Sequence, residues 1–206
     1  NFSWSPLNPT TADTIQFNDS SYDIDGSIVN YTWDFGDGNI SYEQNPSHKY
    51  ADDGIYNVTL TIRDNDGAID NITKQITVQN IPPVAVNDSA EVYEDSSVII
   101  NVLSNDYDTD GQLNLSSIAI VDSPLHGDAT IYSNGTIIYT PIPNYNGYDV
   151  FSYTIKDDDG AESNIAYVNI TILSVNDPPV ANFSWSPLNP TTADTIQFND
   201  SSYDID

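Results

Sequence analysis

Apolar side chains in this chain recur at every second position. Val29, Tyr31, Trp33 and Phe35 alternate with Asn30, Thr32 and Asp34, and Tyr56, Val58, Leu60 and Ile62 alternate with polar partners. Ile72, Ile76 and Val78 follow the same rule, as do Phe151, Tyr153 and Ile155, then Ala166, Val168, Ile170 and Ile172. A period of two collects such residues on one face of a pleated strand, and no stretch carries the period of an amphipathic helix. Residues 130–139, TIYSNGTIIY, read as a hairpin turning at Ser133-Asn134-Gly135. The pattern predicts an all-β chain of antiparallel sandwiches.

The chain also repeats itself. The segment 1–25 recurs unchanged, letter for letter, as 182–206. Within that period a fainter motif, N-x-P-P-V-A, occurs at 80–85 and 176–181. It divides the period into two units, each of the size of a β-sandwich domain. Pro-Pro makes a stiff connector without backbone donors. The expected domains are residues 1–80, residues 81–178, and residues 179–206 as the first strands of a further copy. A fixed period points to a long array, with an isolated duplication as the alternative.

The charge bounds the partners. Thirty-one acidic residues face four basic ones, Lys49, Arg63, Lys74 and Lys156, for a net charge of −27. Only Glu43, Glu91, Glu94 and Glu162 are Glu; the remaining acids are Asp, the acid of turns and tight oxygen cages. No basic patch can neutralise a phosphate backbone, and nothing draws the chain to an anionic membrane. There is no Cys for a disulfide or thiolate site and no apolar run long enough to span a bilayer. The missing Met and leader suggest a mature or internal segment.

The acids concentrate in one motif. D-x-D-G occurs complete at 23–26, 64–67, 108–111 and 157–160, and Asp204-Ile-Asp206 begins a fifth. Each unit carries two, the first after an early strand and the second between its last two strong strands. In an immunoglobulin-like strand order these are loops at the same end of a sandwich, so tandem immunoglobulin-like β-sandwiches should bring the carboxylates together. Clustered carboxylates repel unless a cation lies among them, and an all-oxygen set suits Ca²⁺. The candidate ligands are Asp23, Asp25, Asp64, Asp66, Asp106, Asp108, Asp110, Asp157 and Asp159. Linker residues Asn176 and Asp177 should join Asp204 and Asp206 of the next copy, and Asn80 should serve the second unit similarly. Residues 106–111 match the start of an EF-hand loop, but Ser117 stands where the closing Glu belongs and no helices flank it. The plain alternative is that Asp-Gly is a common turn dipeptide.

Trp33-Asp-Phe-Gly-Asp-Gly38, followed by His48-x-Tyr50, Gly54-Ile-Tyr56 and Val58-Thr-Leu-Thr61, resembles the PKD domain over roughly residues 1–80. That resemblance implies an extracellular immunoglobulin-like sandwich, with calcium in some members held by loops matching Asp23, Asp25, Asp64 and Asp66. PPVAVND at 82–88, EDSSV at 94–98, VLSNDYDTDG at 102–111 and NYNGYDVFSYTIKDDDG at 144–160 are similar to cadherin-like tandem repeats of large prokaryotic surface proteins. There the resemblance implies calcium ligation by Asp106, Asp108, Asp110, Asp157 and Asp159. Neither family implies catalysis.

N-x-S/T sequons number twelve, against about four for a random order of this composition. Asn1, Asn30, Asn39, Asn57, Asn71, Asn114, Asn134, Asn169 and Asn182 are candidate N-glycan acceptors. Asn18, Asn87 and Asn199 sit beside acids and could serve loops instead. An Asn- and Thr-rich β composition is the alternative source of the excess. Only His48 and His126 could act as a catalytic base, and neither has a triad setting. Asp34 and Asp37 could be cast as a glycosidase pair, but their place in the W-D-F-G-D-G turn favours a structural role.

The expected function is therefore not enzymatic. It is a structural repeat segment of an extracellular filament, stalk or adhesin on a prokaryotic cell, archaeal by its sequon density. Ca²⁺ would stiffen the junctions, N-linked glycans would coat the strands, and the partners would be further copies of the repeat in the same or neighbouring chains. Nucleic acid and membrane insertion are not expected. The alternative is a set of accessory carbohydrate- or protein-binding modules of a secreted hydrolase, with Trp4 or Tyr148 stacking on sugar. A third reading treats the acidity as adaptation to salt.

Overall fold

The computed structural model describes residues 1–204, which are strand and loop apart from one short 3₁₀ turn at Val102–Ser104. The chain divides into two compact units. The first holds residues 1–84, 106–117 and 155–164; the second holds 85–105, 118–154 and 165–206. All four complete D-x-D-G loops thus fall in the first unit.

The first unit begins with β1 (Phe2–Ser5), β2 (Ile15–Asp19), β3 (Ile28–Asp34), β4 (Ile40–Ser41), β5 (Ser47–His48), β6 (Gly54–Asp64) and β7 (Ile69–Val78). They form a three-stranded sheet, β1-β2-β5, and a four-stranded one, β4-β3-β6-β7. Phe2, Ile15 and Phe17 of the first sheet share a core with Trp33, Val58, Leu60, Ile76 and Val78 of the second. The Phe2 ring meets Trp33 edge-on at 4.9 Å, and Phe17 lies 5.5 Å from the same indole. Burying each such side chain contributes about 1.5–3 kcal/mol. Two of the polar atoms that go in with them are paired with backbone carbonyls. Trp33 Nε1 donates to the Glu43 carbonyl at 3.0 Å and Tyr50 OH to the Phe35 carbonyl at 2.9 Å.

One residue of the alternating pattern does not follow it. Val29 is 52% exposed, because the β3–β6 register steps from Ile28↔Asp64 to Asn30↔Arg63. The bulge turns Val29 out of the core face. The W-D-F-G-D-G segment is a turn held by its own acids. Asp34 accepts from Gly36 N–H at 2.9 Å, and Asp37 accepts from Asn39 N–H at 3.0 Å. His48 Nε2 lies 2.8 Å from Asp37, while its ring stacks on Phe35 at 4.1 Å. Burial opposes the Asp37 charge, but the Asn39 and His48 bonds outweigh it and hold the carboxyl below its ordinary range. Gly36 is required here: its φ is +83°, and a Cβ would lie 2.7 Å from the Asn57 carbonyl oxygen.

The following strands are β8 (Asp88–Tyr93), β9 (Val98–Ile100), β10 (Leu113–Ile120), β11 (Gly127–Ile131), β12 (Ile137–Pro141), β13 (Gly147–Asp157) and β14 (Ala166–Leu173). Their sheets run β10-β13-β14-β8 and β11-β12-β9, with β14 and β8 parallel. The expected hairpin is β11–β12, closing at Ile131↔Ile137 with Gly135 at φ +83°. Phe151, Tyr153, Ala166, Val168, Ile170 and Ile172 are buried, as alternation predicts. Among the described residues the last strands, β15 (Phe183–Ser186) and β16 (Gln197–Asp200), form a two-stranded sheet.

Asp149, 7% exposed, organises this second sandwich. Its Oδ1 accepts from Leu125 N–H at 3.0 Å and Val150 N–H at 2.9 Å. Its Oδ2 accepts from His126 N–H and from Tyr139 OH, both at 2.8 Å. Burial pushes against its ionisation, yet these four donors prevail and hold its carboxyl below the ordinary range. A carboxyl lowered on folding adds stability above its unfolded pKa, lost as pH falls through the folded value. Asp149→Ala should therefore cost about 3 kcal/mol or more near neutral pH, by urea denaturation, because it strands several buried donors. The gap from wild type should narrow below about pH 4.

Candidate metal site at the acidic loops

The two acidic loops of each sandwich are clasped in the same way. In the first, Asn65 Oδ1 accepts from Ser27 N–H at 2.7 Å, and Asn65 N–H donates to the Ser27 carbonyl at 3.0 Å. In the second, Asp158 Oδ1 accepts from Gln112 N–H at 2.8 Å, and Asp158 N–H donates to the Gln112 carbonyl at 3.0 Å. The clasping residue is the variable position of the second D-x-D-G, which sequence reasoning passed over. The opposing Gly makes room for it. A Cβ on Gly26 would lie 2.3 Å from Asn65 Oδ1, and one on Gly111 would lie 2.7 Å from Asp158 Oδ1.

The first Asp of that second motif serves its own turn. Asp64 Oδ1 accepts from the N–H groups of Asp66 and Ala68, at 2.9 and 2.8 Å. Asp157 Oδ1 accepts from Ala161 N–H at 2.7 Å. Gly67 and Gly160 follow at φ +94° and +91°. Asp23 and Asp25 line a cleft together with Asp70, which was not among the expected residues.

The linker reaches the loops of the second sandwich. Val84 and Tyr107 form an antiparallel bridge with N–H···O distances of 2.8 and 3.1 Å, which sets N-x-P-P-V beside Asp106 and Asp108. Asn80 Nδ2 then donates to Asp157 Oδ2 at 2.8 Å, and Ile81 N–H donates to Asp110 Oδ2 at 3.1 Å. The Thr11 hydroxyl donates to the same Asp110 oxygen at 2.5 Å. Two buried carboxylate oxygens in this cluster, Asp108 Oδ2 and Asp110 Oδ1, have no hydrogen-bond partner. Burial and then the Asp110 and Asp157 carboxylates push the Asp108 carboxyl above its ordinary range. Orphaned anionic oxygens in an all-oxygen setting fit a hard divalent cation such as Ca²⁺.

Asp159 goes elsewhere. Its carboxylate groups with Asp52 and Asp53, with one oxygen of each within 4.8 Å of the others. The Asp53 charge, more than the slight burial of the group, pushes Asp159 up. The spacing of D-x-D-G could not reveal this, since Asp52 and Asp53 lie far away in sequence. At the second linker Val180 bridges Tyr203 at the same 2.8 and 3.1 Å, bringing the stretch after Asn176 and Asp177 to the residue before Asp204. Asp206 lies outside the described residues. All nine candidate sequon asparagines are exposed. Asn87, suspected of serving a loop, accepts from Tyr167 N–H at 2.8 Å.

Comparison with known proteins places the chain. It is 32% identical over 152 residues to the pre-pro-metalloprotease PrtV of Vibrio cholerae, covering 74% of this chain but 16% of that protein. It is 45% identical over 75 residues to the collagenase ColA of Clostridium perfringens, covering 36% of this chain and 7% of that protein. The chain thus spans a small part of the curated relatives it matches. Among solved structures, the PKD1 domain of the Vibrio cholerae metalloprotease is 35% identical, covering 39% of this chain and 94% of that one, with a TM-score of 0.35. Residues 5–79 match the family model of the PKD domain, and residues 80–171 match that of the bacterial Ig domain. The chain belongs to both families in turn: a PKD domain followed by a bacterial Ig-like domain.

Proposed function

We propose that this chain is a non-catalytic spacer of an extracellular protein, one period of a repeating array whose linkers calcium stiffens. The observation that carries this reading is the linker bridge, Val84 to Tyr107 and again Val180 to Tyr203, each just before an acidic loop. Because the segment 1–25 recurs as 182–206, the second linker leads into the opening of the first sandwich again. Bound calcium would supply the positive charge that four basic residues cannot. Asp108 and Asp110 would hold it through their unpartnered oxygens, with Asp157 alongside. Asn80 and Ile81 already tie the linker to these carboxylates, so a filled site would resist bending there. Exposed sequons on the strands fit a glycan coat, and the work of such a segment in a filament, stalk or adhesin is to span distance. An image of the native particle tests this: a thin fibre with one domain pair per axial repeat is expected.

A second reading has a specific observation behind it. The relatives are a metalloprotease and collagenases, so the modules could instead be accessories of a secreted hydrolase. Tyr148, 78% exposed, would then be a candidate surface for substrate. A full-length chain with a catalytic domain and only one or two such periods would favour that reading over the array.

The calcium role predicts a reversal. Without metal, Asp108→Asn should raise the thermal midpoint, because it removes a charge that burial and two neighbouring carboxylates oppose. With calcium at a hundredfold excess over its Kd, wild type should gain about 2.7 kcal/mol and the variant little. The two melting curves should therefore exchange order. Wild-type melting that ignores both calcium and chelator would overturn the metal site. Peptide mapping of native material should find glycan mass at Asn57 and Asn169, both exposed on strands.

A further inference from the structure

One exposed face of the second sandwich is apolar, uncharged and centred on a sequon. β13 and β14 are the two central strands of their sheet, and Tyr148↔Thr171, Val150↔Asn169 and Ser152↔Tyr167 stand opposite each other across them. Alternation buries Phe151, Val168 and Ile170 and turns Tyr148, Val150, Tyr167 and Asn169 outward. Tyr148 is 78% exposed and Val150 44%; Leu125, from the segment joining β10 to β11, is 84% exposed. None of these outward residues is charged, in a chain of 31 acids. Leu125, Tyr148, Val150 and Asn169 line a hollow of about 430 Å³, and a second of about 490 Å³ runs past the same Leu125 and Val150 to Tyr167. An exposed apolar face of this kind marks a contact surface.

The sequon at its centre identifies the occupant. Asn169-Ile170-Thr171 is an N-x-T acceptor, with Asn169 directly opposite Val150 and Tyr148 on the diagonal, about 7–8 Å away. A sugar carried on Nδ2 therefore starts within reach of both. Asn169 Nδ2 makes one long bond, 3.5 Å to the Asp88 carbonyl, and a glycosylated amide keeps an N–H with which to make it. A pyranose ring carries a face of C–H groups that packs on aromatic and aliphatic surface while its hydroxyls stay in water. Other strand sequons lack this setting: Asn57 stands opposite Gln75, and Asn71 opposite Thr61. We propose that the N-glycan of Asn169 folds back over Tyr148, Val150 and Leu125, so that the chain covers its own exposed face. A flat protein partner would have to bury the Asn169 amide at the middle of the contact, and a glycan there bars it sterically. In the glycosylated chain Tyr148 is then occupied, which withdraws it as a substrate surface. The inference rests on the glycan coat of the repeat reading, and the two fail by different results.

The test uses the full 206-residue chain secreted from a eukaryotic host, with each glycan trimmed enzymatically to a single N-acetylglucosamine. The unaltered chain is compared with Asn169→Gln, Tyr148→Ala and the two combined. In the Asn169→Gln background Tyr148→Ala should change the unfolding equilibrium constant by less than about twofold, because the ring is exposed. With the sugar on Asn169 the same substitution should raise that constant about fivefold or more, because a ring contact is lost. Nuclear Overhauser contacts should join the Asn169 sugar to the Tyr148 ring. Mass spectrometry reads which sequons are occupied. An occupied Asn169 that lacks either the coupling or the sugar–ring contacts overturns the proposal and leaves the glycan coat standing. So does a bare Asn169 in a chain whose other sequons are occupied. A chain bare at every sequon overturns the coat and the proposal together. A glycosylated chain that self-associates in sedimentation velocity, and ceases to on Tyr148→Ala, gives the face to a second copy and overturns the proposal as well.

Discussion

With 31 acids and four bases, this protein has almost no side-chain cations with which to neutralise a buried carboxylate. A carboxylate taken from water needs hydrogen-bond donors or a counter-charge, or it loses its ionisation. The fold depends on the first of these solutions. Asp149 collects three backbone N–H groups and a tyrosine hydroxyl; Asp34, Asp37, Asp64 and Asp157 each take N–H groups of the turn they begin. Glu94, 3% exposed, accepts from Val175 N–H at 2.6 Å. Asp is suited to this work because its short side chain reaches backbone donors one or two residues away. Asp108 Oδ2 and Asp110 Oδ1, buried in one cluster without a hydrogen-bond partner, stand out against these acids.

The sequence carries the strands clearly because alternation is a local property of a half-buried sheet. Trp33, Val58, Leu60, Phe151 and Val168 all face inward as their spacing predicts, and the β11–β12 turn falls on Ser133-Asn134-Gly135. Val29 escapes because a bulge depends on how β3 meets β6, and nothing in the one strand announces it. The acidic loops were legible as a pattern but not in their division of labour. The variable residue between the two aspartates, Asn65 or Asp158, does the clasping, while the aspartate before it caps a turn. Which oxygen is consumed and which is spare is decided by the opposing loop and the linker. Asp159 shows the limit most plainly, since its neighbours Asp52 and Asp53 come from another part of the chain.

The duplicated hairpin separates two things that are usually observed together. Register, turn bonds and ring spacing are the same in β1–β2 and β15–β16, so the local geometry follows from the duplicated segment itself. Burial differs at every core position, so the hydrophobic stabilisation belongs to the sheet that covers them. The linker bridge recurs in the same way. Val84 with Tyr107 and Val180 with Tyr203 use only backbone groups, so the junction geometry survives the change of neighbouring residues from Asn80-Ile81 to Asn176-Asp177. What recurs at the two linkers is therefore the main-chain pairing, and not the side chains that surround it.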